Sequence, residues 1–297
     1  MYLLYLCKNF KTTTMKKIGF IFFGLILSFS AFAQEDAKQE IKDGWTKGGT
    51  FSVLFSQSNF SNWTAGGVNN VSGTIGLNYD FNYRKGDLTW DNKIIAAYGV
   101  VKNEGENQRK TDDRLEFNSL AGKKAGGNWY YSFFFNFKTQ MDVGYDPETN
   151  STEISHFFSP AYFQTGPGML WKKNDNLKVN IAPATARLII VHDHFTVNGE
   201  SFGVKQGETS RFEFGASLGA YYKLDLVKNV TMENILNLYT NYLEEPQNVD
   251  IDYTMNLVMK VNKFLSANFS FQAIYDDNAF RGLQTRQVFG AGLTVGL

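Results

Sequence analysis

Apolar and polar residues alternate along most of this 297-residue chain. In residues 71–83, VSGTIGLNYDFNY, apolar side chains occupy every second position, and polar side chains predominate between them. Residues 129–142, 211–225, 249–261 and 265–275 show the same period. A period of two indicates β-strands that have one apolar and one polar face. Together with weaker segments between them, the pattern predicts about twelve strands.

The predicted connections alternate between short and long. The short ones are expected near 84–87, 123–128, 172–176, 226–229 and 262–264. The long ones are expected near 58–69, 101–111, 143–156, 192–210, 243–248 and 276–285. Bacterial outer-membrane barrels have short periplasmic turns and longer extracellular loops. An even number of strands then places both termini on the periplasmic side. The loop near 192–210 is long enough to fold into the lumen as a plug.

The chain ends on another alternating segment, RQVFGAGLTVGL (286–297). Phe289, Leu293, Val295 and Leu297 share its apolar face. An unpaired apolar strand would be an exposed edge, which proteins usually avoid. We therefore expect this strand to pair with the first strand and close a ring. We also expect it to be the strand that the barrel insertion machinery reads.

A soluble β-sandwich or lipocalin-like barrel is the alternative fold. Two features favour a membrane barrel instead. Large aromatic residues continue to both ends of the apolar faces, and charges of opposite sign, such as Asp91 and Lys93, recur on the polar faces. We predict an all-β fold, a transmembrane antiparallel β-barrel of about twelve strands over residues 48–297, integral to the outer membrane.

The N-terminal segment has the features of a secretory signal peptide. Met15 is followed by two lysines, an apolar run and then Ala31-Phe32-Ala33. This order predicts a signal peptide over 1–33 that starts at Met15 and is cleaved before Gln34. A membrane anchor is the alternative, but the run is short for a spanning helix. Residues 34–47 then form a short periplasmic segment.

Charge and cysteine content limit the function classes. Lys+Arg and Asp+Glu are both 29, and residues 1–33 contain four lysines and no acid, so the remainder has a net charge of −4. This balance does not favour nucleic-acid binding. Cys7, the single cysteine, lies in the predicted signal peptide. We expect no cofactor, and we expect as partners outer-membrane lipid, the insertion machinery and, as an alternative, another outer-membrane protein.

Stretches spread over most of the chain carry a family resemblance. They are FSNWTAGG (60–67), WDNKIIAAYG (90–99), RKTDDRLEFNS (109–119), NWYYSFFFNFKTQ (128–140), FGVKQGE (202–208), NYLEEPQNVD (241–250), KVNKFLSANFS (260–270) and IYDD (274–277). The chain resembles a family of Bacteroidota outer-membrane barrels, domain of unknown function 3078. The resemblance implies a barrel fold and a surface location, and it implies no activity. Outer-membrane barrels commonly end in an aromatic residue, whereas this chain ends in Leu297.

Charged residues on the polar faces are predicted to point into the lumen. They are Asp80, Asp91, Lys93, Arg114, Glu116, Lys138, Arg211, Glu213, Lys223, Glu233 and Lys260. They would either bias permeation through a hydrophilic pore or form an ion-pair network that fills the barrel. Barrels of eight strands are filled by side chains and barrels of sixteen leave a channel. We favour a narrow or occluded lumen.

The segment VHDHF (191–195) contains two of the three histidines. His192 and His194 lie on one side of an extended chain, as zinc ligands can, and with Asp193 they could serve a barrel hydrolase. His156 is expected to stand alone in another loop. Without a third ligand we predict neither a metal site nor a catalytic residue, and His192 and His194 remain weak candidates.

The predicted loops are acidic. They contain Asp112, Asp113, Asp146, Glu148, Glu244, Glu245, Asp276 and Asp277. Such groups can hold calcium, but none matches the twelve-residue calcium loop, so a solvated rim is the better interpretation.

The predicted turns are basic. They contain Arg84, Lys85, Lys123, Lys124, Lys172, Lys173, Lys228 and Lys263. We expect solvated turn residues, with anionic phospholipid headgroups or an acidic partner as the alternative.

The sequence therefore predicts a non-enzymatic outer-membrane β-barrel, either a narrow porin-like solute channel or a plugged structural barrel. An accessory subunit of a larger outer-membrane assembly is the alternative. A hydrolase that uses His192, Asp193 and His194 is the third hypothesis.

Overall fold

The computed structural model describes residues 43–61, 68–146 and 149–297, without the side chain of Arg281. The predicted signal peptide, most of the predicted periplasmic segment and Glu148 lie outside the described residues. The signal peptide and its cleavage before Gln34 therefore stay predictions.

The described chain consists almost entirely of strands. Their bounds are β1 Gly44–Ser58, β2 Asn70–Lys85, β3 Leu88–Asn103, β4 Arg109–Gly126, β5 Trp129–Thr139, β6 Gly144–Tyr145, β7 Glu153–Ser155, β8 Ala161–Asn174, β9 Leu177–Ile190, β10 Ser210–Val227, β11 Val230–Asn241, β12 Asp250–Lys260, β13 Leu265–Asp276 and β14 Phe280–Gly296. One short helix, α1 (Asp193–Thr196), follows β9. In the part of the chain that the structure describes, no helix is long and apolar enough to cross a membrane.

Twelve strands close into one antiparallel barrel. Neighbours in the chain are neighbours in the ring, and β5 pairs with β8 because β6 and β7 form a separate hairpin between them. The last strand, β14, pairs with β1, where Leu293 lies opposite Val53 and Val295 lies opposite Phe51. The predicted twelve-stranded barrel and its closure by the C-terminal strand are confirmed.

Large apolar side chains project from the outside of the barrel. Tyr131, Phe212 and Phe289 have 65%, 60% and 66% of their surface exposed. Residues at the intervening positions, such as Glu213, are buried inside. A soluble barrel would show the opposite arrangement, with its apolar face inward. The alternation in the sequence therefore sets which side chains enter the lumen.

The short connections gather at one end of the barrel, which we name the turn rim. Gly86, Gly127 and Asn229 have φ values of +53°, +55° and +68° there. These left-handed conformations are the ones that two-residue hairpin turns need. The turn rim comprises the connections 86–87, 127–128, 175–176, 228–229 and 261–264.

The other end of the barrel is the loop rim. It comprises the described residues of the connections 59–69, 104–108, 140–160, 191–209, 242–249 and 277–279. Two of the predicted long loops are shorter than expected, namely 101–111 and 276–285. The strands on either side continue further than the hydrophobic pattern does, because the β3–β4 and β13–β14 ladders extend almost to the turns.

The barrel also begins earlier than the predicted boundary at residue 48. Strand β1 starts at Gly44, and Trp45 lies opposite Tyr83 in β2. The ring of Trp45 contacts the rings of Tyr83 and Trp90, with centroids 5.2 and 5.8 Å apart. These ring contacts account for the additional pairing.

Candidate functional site

The lumen encloses a cavity of about 700 Å³. Its walls carry Asp, Glu, Lys, Arg, Asn and Tyr side chains from most of the strands. The charged side chains do not stand apart along the walls. They form ion pairs that bridge the lumen at several heights between the two rims.

The central bridge joins Lys93 of β3 to Glu233 of β11, with 2.8 Å between Nζ and Oε1. These two strands stand six places apart in the ring of twelve, so the pair spans the lumen. Glu233 also accepts hydrogen bonds from the Tyr221 hydroxyl (2.9 Å) and the Asn256 amide (3.2 Å). Asp80 lies 3.9 Å from Lys93 Nζ. The pair is held from several sides and is mostly buried.

A second set of ion pairs lies near the turn rim and centres on Asp91. Arg84, Lys172 and Lys178 place nitrogen atoms 2.6, 2.8 and 2.9 Å from its carboxylate oxygens. Asp175, in the β8–β9 turn, accepts from Arg84 at 2.5 Å and from Lys172 at 2.8 Å. Burial by itself raises the pKa of Asp175, but Lys172 and Arg84 outweigh this effect and hold the pKa below its ordinary value.

A third set lies near the loop rim and centres on Arg187 of β9. Its guanidinium nitrogens lie 2.5 Å from Asp250, 3.1 Å from Asp276 and 3.5 Å from Glu213. The guanidinium carbon is 5.0 Å from the centre of the Tyr239 ring. Strands β9, β10, β12 and β13 are thereby joined by one side chain.

Two further ion pairs cross the lumen. Lys138 of β5 lies 3.2 Å from Asp252 of β12, which also accepts from Gln272 at 2.8 Å. Arg286 of β14 contacts Asp112 of β4. The lumen is thus bridged by charged side chains from one rim to the other.

The connection 191–209 covers part of the loop rim, and we name it the cap. Val191 and Val204 are fully buried, and Phe202 packs beside them and lines the cavity. Phe202 and Gly203 form a tight turn with φ values of +51° and +77°. Arg211 Nη1 donates to the Gly203 carbonyl at 3.0 Å and fixes this turn over the lumen.

Another connection at the loop rim, 140–160, is held to the barrel by acidic residues. The Tyr98 hydroxyl donates to Asp142 at 2.7 Å, and the Val143 backbone N–H donates to it at 2.8 Å. These hydrogen bonds hold the pKa of Asp142 below its ordinary value. Asp113 accepts from Lys110 at 2.6 Å and from two backbone N–H groups. These acids hold the connection in place.

Most of the predicted lumen charges do lie inside the barrel. Arg114 and Glu116 face each other at 3.9 Å, and Arg211 lies 2.8 Å from Glu213. Lys223 lines the cavity near the turn rim, although its side chain is exposed.

Lys260 differs from the other predicted lumen charges. It is the last residue of β12 and is exposed at the turn rim. Among the described residues it forms no ion pair across the lumen. The structure does not bring it to the cavity.

Sequence reasoning missed several lumen residues. Arg84 and Lys172 were expected in basic, solvated turns, but both point inward to Asp91. Arg187 and Asp250 were not recognised as a pair. The strand alternation carried part of the signal, because Arg84 continues the polar face of Asp80. The sequence pattern does not show which opposing charges meet.

His156 does not stand alone, contrary to the expectation. Its ring lies against those of His192 and Phe195, with centroid distances of 5.3 and 5.0 Å. His192 Nδ1 is 2.9 Å from Asp193, and both side chains are more than half exposed. The ring of His194 packs against Phe195 instead. The group therefore lies on the outside of the cap.

In the described ranges, the acids whose oxygens converge closely enough for a metal ion are Asp250, Asp276 and Asp277. Two of them already bind Arg187. Asn248 donates to Asp277 at 2.7 Å. A guanidinium group and an amide thus occupy the space that a cation would need.

Comparison with known proteins gives one family match. The family described as Protein of unknown function (DUF3078) matches residues 55–145. No curated protein matches the chain.

Several solved structures are similar in fold. The translocator domain of autotransporter NalP from Neisseria meningitidis is 8% identical, with 87% of this chain and 89% of that chain covered and a TM-score of 0.33. An outer membrane channel from Pseudomonas putida F1 is 10% identical, with 89% and 99% covered and a TM-score of 0.38. Pseudomonas putida OprB is 7% identical, with 86% and 94% covered and a TM-score of 0.28.

Proposed function

We propose that the protein is a non-enzymatic, integral outer-membrane β-barrel whose lumen is occluded by cross-lumen ion pairs. The observation that carries the proposal is the bridge between Lys93 and Glu233, which joins opposite walls at 2.8 Å. A diffusion pore keeps its charges along the walls and leaves a path between them. In this barrel, charged side chains from opposite walls meet inside the lumen.

The membrane location is supported by the outer surface. Exposed aromatic and aliphatic side chains cover it on every side of the ring, and charged side chains are concentrated in the lumen and at the rims. A lipid-facing apolar band produces this distribution. We place the turn rim and both termini in the periplasm and the loop rim at the cell surface, because bacterial barrels have their longer loops outside.

We assign no reaction to the histidines of the cap. His192 and Asp193 are exposed to solvent. Ser159 Oγ accepts the His192 backbone N–H at 2.9 Å, so this serine contact does not involve the imidazole that would activate a nucleophile. A single carboxylate–histidine contact on a surface loop is a common structural feature. The lumen, where the charged side chains pair, is the functional compartment of this proposal.

Liposome swelling tests the occlusion. We expect vesicles that contain the wild-type protein to exclude a small neutral solute such as arabinose. Vesicles with a variant in which Lys93, Glu233, Arg187 and Asp250 are all replaced by Ala should swell faster than those with the wild-type protein, because two of the bridges are lost without a change in net charge. Rapid swelling with the wild-type protein would overturn the proposal.

A second function, an accessory subunit of a larger assembly, is favoured by one feature of the turn rim. Val227, Val261 and Phe264 lie in or beside short connections with 64%, 70% and 52% of their surface exposed. Exposed apolar residues grouped on neighbouring hairpins are typical of contact surfaces. Gentle detergent extraction followed by mass spectrometry should recover a stoichiometric companion if this function is correct. Recovery of the barrel alone would argue against it.

A further inference from the structure

Tryptophan residues are distributed unevenly around the barrel. Trp45, Trp90, Trp129 and Trp171 all lie near the turn rim, on the contiguous arc that runs from β1 through β5 to β8. Trp129 and Trp171 lie opposite each other in register. Trp and Tyr are favoured at the membrane–water interface. This arc of the turn rim therefore carries the tryptophans that are expected at the membrane–water interface.

Three of the rings on this arc form a continuous surface, which we name the aromatic shelf. Trp45 contacts Tyr83 and Trp90, with ring centroids 5.2 and 5.8 Å apart. Trp45 and Trp90 have 51% and 43% of their surface exposed on the outside of the barrel. The Trp90 indole N–H donates to Ser119 at 2.8 Å, which fixes the position of its ring.

Two lysines lie directly on the aqueous side of the shelf, and we name them the lysine row. Lys85 lies opposite Leu88, and Leu88 lies opposite Lys123, so the two lysines flank one leucine on adjacent strands. Neighbouring strands are about 4.8 Å apart, which places the two lysine Cα atoms about 10 Å from each other. Lys85 follows Tyr83 by two residues on the same outward face, about 6.8 Å further along the strand.

The two side chains of the lysine row extend into solvent. Both lysines are exposed, and in the described ranges neither forms an ion pair. Asp43 and Asp87 are the acids in and beside the same turn, and Asp43 already accepts the Gly86 backbone N–H at 3.0 Å. The row therefore presents positive charge beside an apolar, aromatic surface.

We propose that the aromatic shelf and the lysine row together bind the phosphate of an anionic glycerophospholipid. This inference rests on the proposed membrane location. The rings would contact the glycerol and upper acyl region, and the two ammonium groups would hold the phosphate from either side. The order of these groups along the barrel axis matches that of a lipid. The glycerol and acyl chains of a lipid lie deeper in the membrane than its charged headgroup, and the rings lie deeper than the lysines.

The opposite arc of the turn rim does not offer this arrangement. The outward residues there include the aliphatic Val227, Val261 and Leu265. Phe264 is also exposed there, and Lys263 Nζ lies 4.9 Å from its ring centroid, but the described residues of this arc contain no Trp. Lys228 and Lys263 provide positive charge in its turns. This arc therefore supplies a matched control with the same charge and without the Trp–Tyr shelf.

Quenching of tryptophan fluorescence by brominated lipids tests the site. All proteins would carry Trp63→Phe, so that the remaining emission comes from the four tryptophans of the turn rim. The protein is reconstituted into phosphatidylcholine vesicles that contain either brominated phosphatidylglycerol or brominated phosphatidylcholine at one mole fraction. Each lysine near an anionic membrane surface contributes about 1 kcal/mol, which corresponds to an affinity for the anionic lipid about fivefold above that for the zwitterionic lipid.

We expect stronger quenching by brominated phosphatidylglycerol, and a loss of that preference of at least fivefold in Lys85→Ala/Lys123→Ala. The control Lys228→Ala/Lys263→Ala should keep the preference. Equal quenching by both lipids in the wild-type protein, or an equal loss in the control, would overturn the lipid site while leaving the membrane location intact. Absence of quenching by either lipid would instead overturn the proposed membrane location.

Discussion

Replacing Glu233 with Ala should destabilise the barrel by about 3 kcal/mol. The change leaves Lys93 in the lumen without its partner, and breaking a buried ion pair from one side costs about 3–5 kcal/mol. The side chains of the two residues are 14% and 12% exposed, so water compensates little. We expect the lower end of the range because Asp80 remains 3.9 Å from Lys93 Nζ.

The free energy of unfolding can be measured by urea titration of the protein folded in lipid vesicles. Lys93→Met/Glu233→Leu should cost less than Glu233→Ala, because no unpaired charge remains in the lumen. Solvent-exposed ion pairs contribute less than about 1 kcal/mol, so a cost of that size for Glu233→Ala would mean that the pair is exposed to water. That result would refute the reasoning, since it would mean that water fills the lumen around the bridge.

Three further predictions follow from the loop rim and the wall. Gly203→Ala should destabilise the cap by about 1–2 kcal/mol in urea titration, because Gly203 has a φ of +77°, whereas Gly199→Ala should have little effect. Gly215→Ala should prevent closure of the barrel, because the added Cβ would lie 1.8 Å from a carbonyl oxygen of β11. The failure would be seen as loss of heat-modifiable electrophoretic mobility, whereas the control Gly219→Ala should fold normally. The lowered pKa of Asp142 means that its hydrogen bonds stabilise connection 140–160 above the ordinary carboxyl pKa of about 4 and are lost as the pH falls through the lowered value. Protection against hydrogen exchange there, after correction for the intrinsic exchange rate, should fall on acidification in the wild-type protein and be low already at neutral pH in Asp142→Ala. Protection in Asp142→Ala that follows the wild-type pH profile would contradict this.

The barrel itself could be predicted from the sequence because its information is local. Alternation along each strand decides which residues face outward, and the polar end of each segment marks a turn. The β13–β14 connection was misplaced because Phe280 and Leu283 follow a polar stretch that resembles a loop, although the ladder continues to Phe280. Strand ends that extend past the apolar band carry no hydrophobic signal.

The pairing inside the lumen could not be predicted in the same way. Lys93 and Glu233 are 140 residues apart in the chain, and they meet only because the closed ring places β3 opposite β11. Arg84 was assigned to a solvated turn because it opens the segment RKGD (84–87), which was expected to be a short connection. Its inward direction follows from the strand alternation, but its partner Asp91 is set by side-chain length and by the shape of the lumen.

Single-channel recording in planar lipid bilayers tests the central claim most directly. The wild-type protein, inserted at low density, should show no stable open level, because charged bridges cross its lumen near both rims and at the centre. A steady conductance of the size expected for an unobstructed twelve-stranded barrel would contradict the account and would identify the protein as an open diffusion channel.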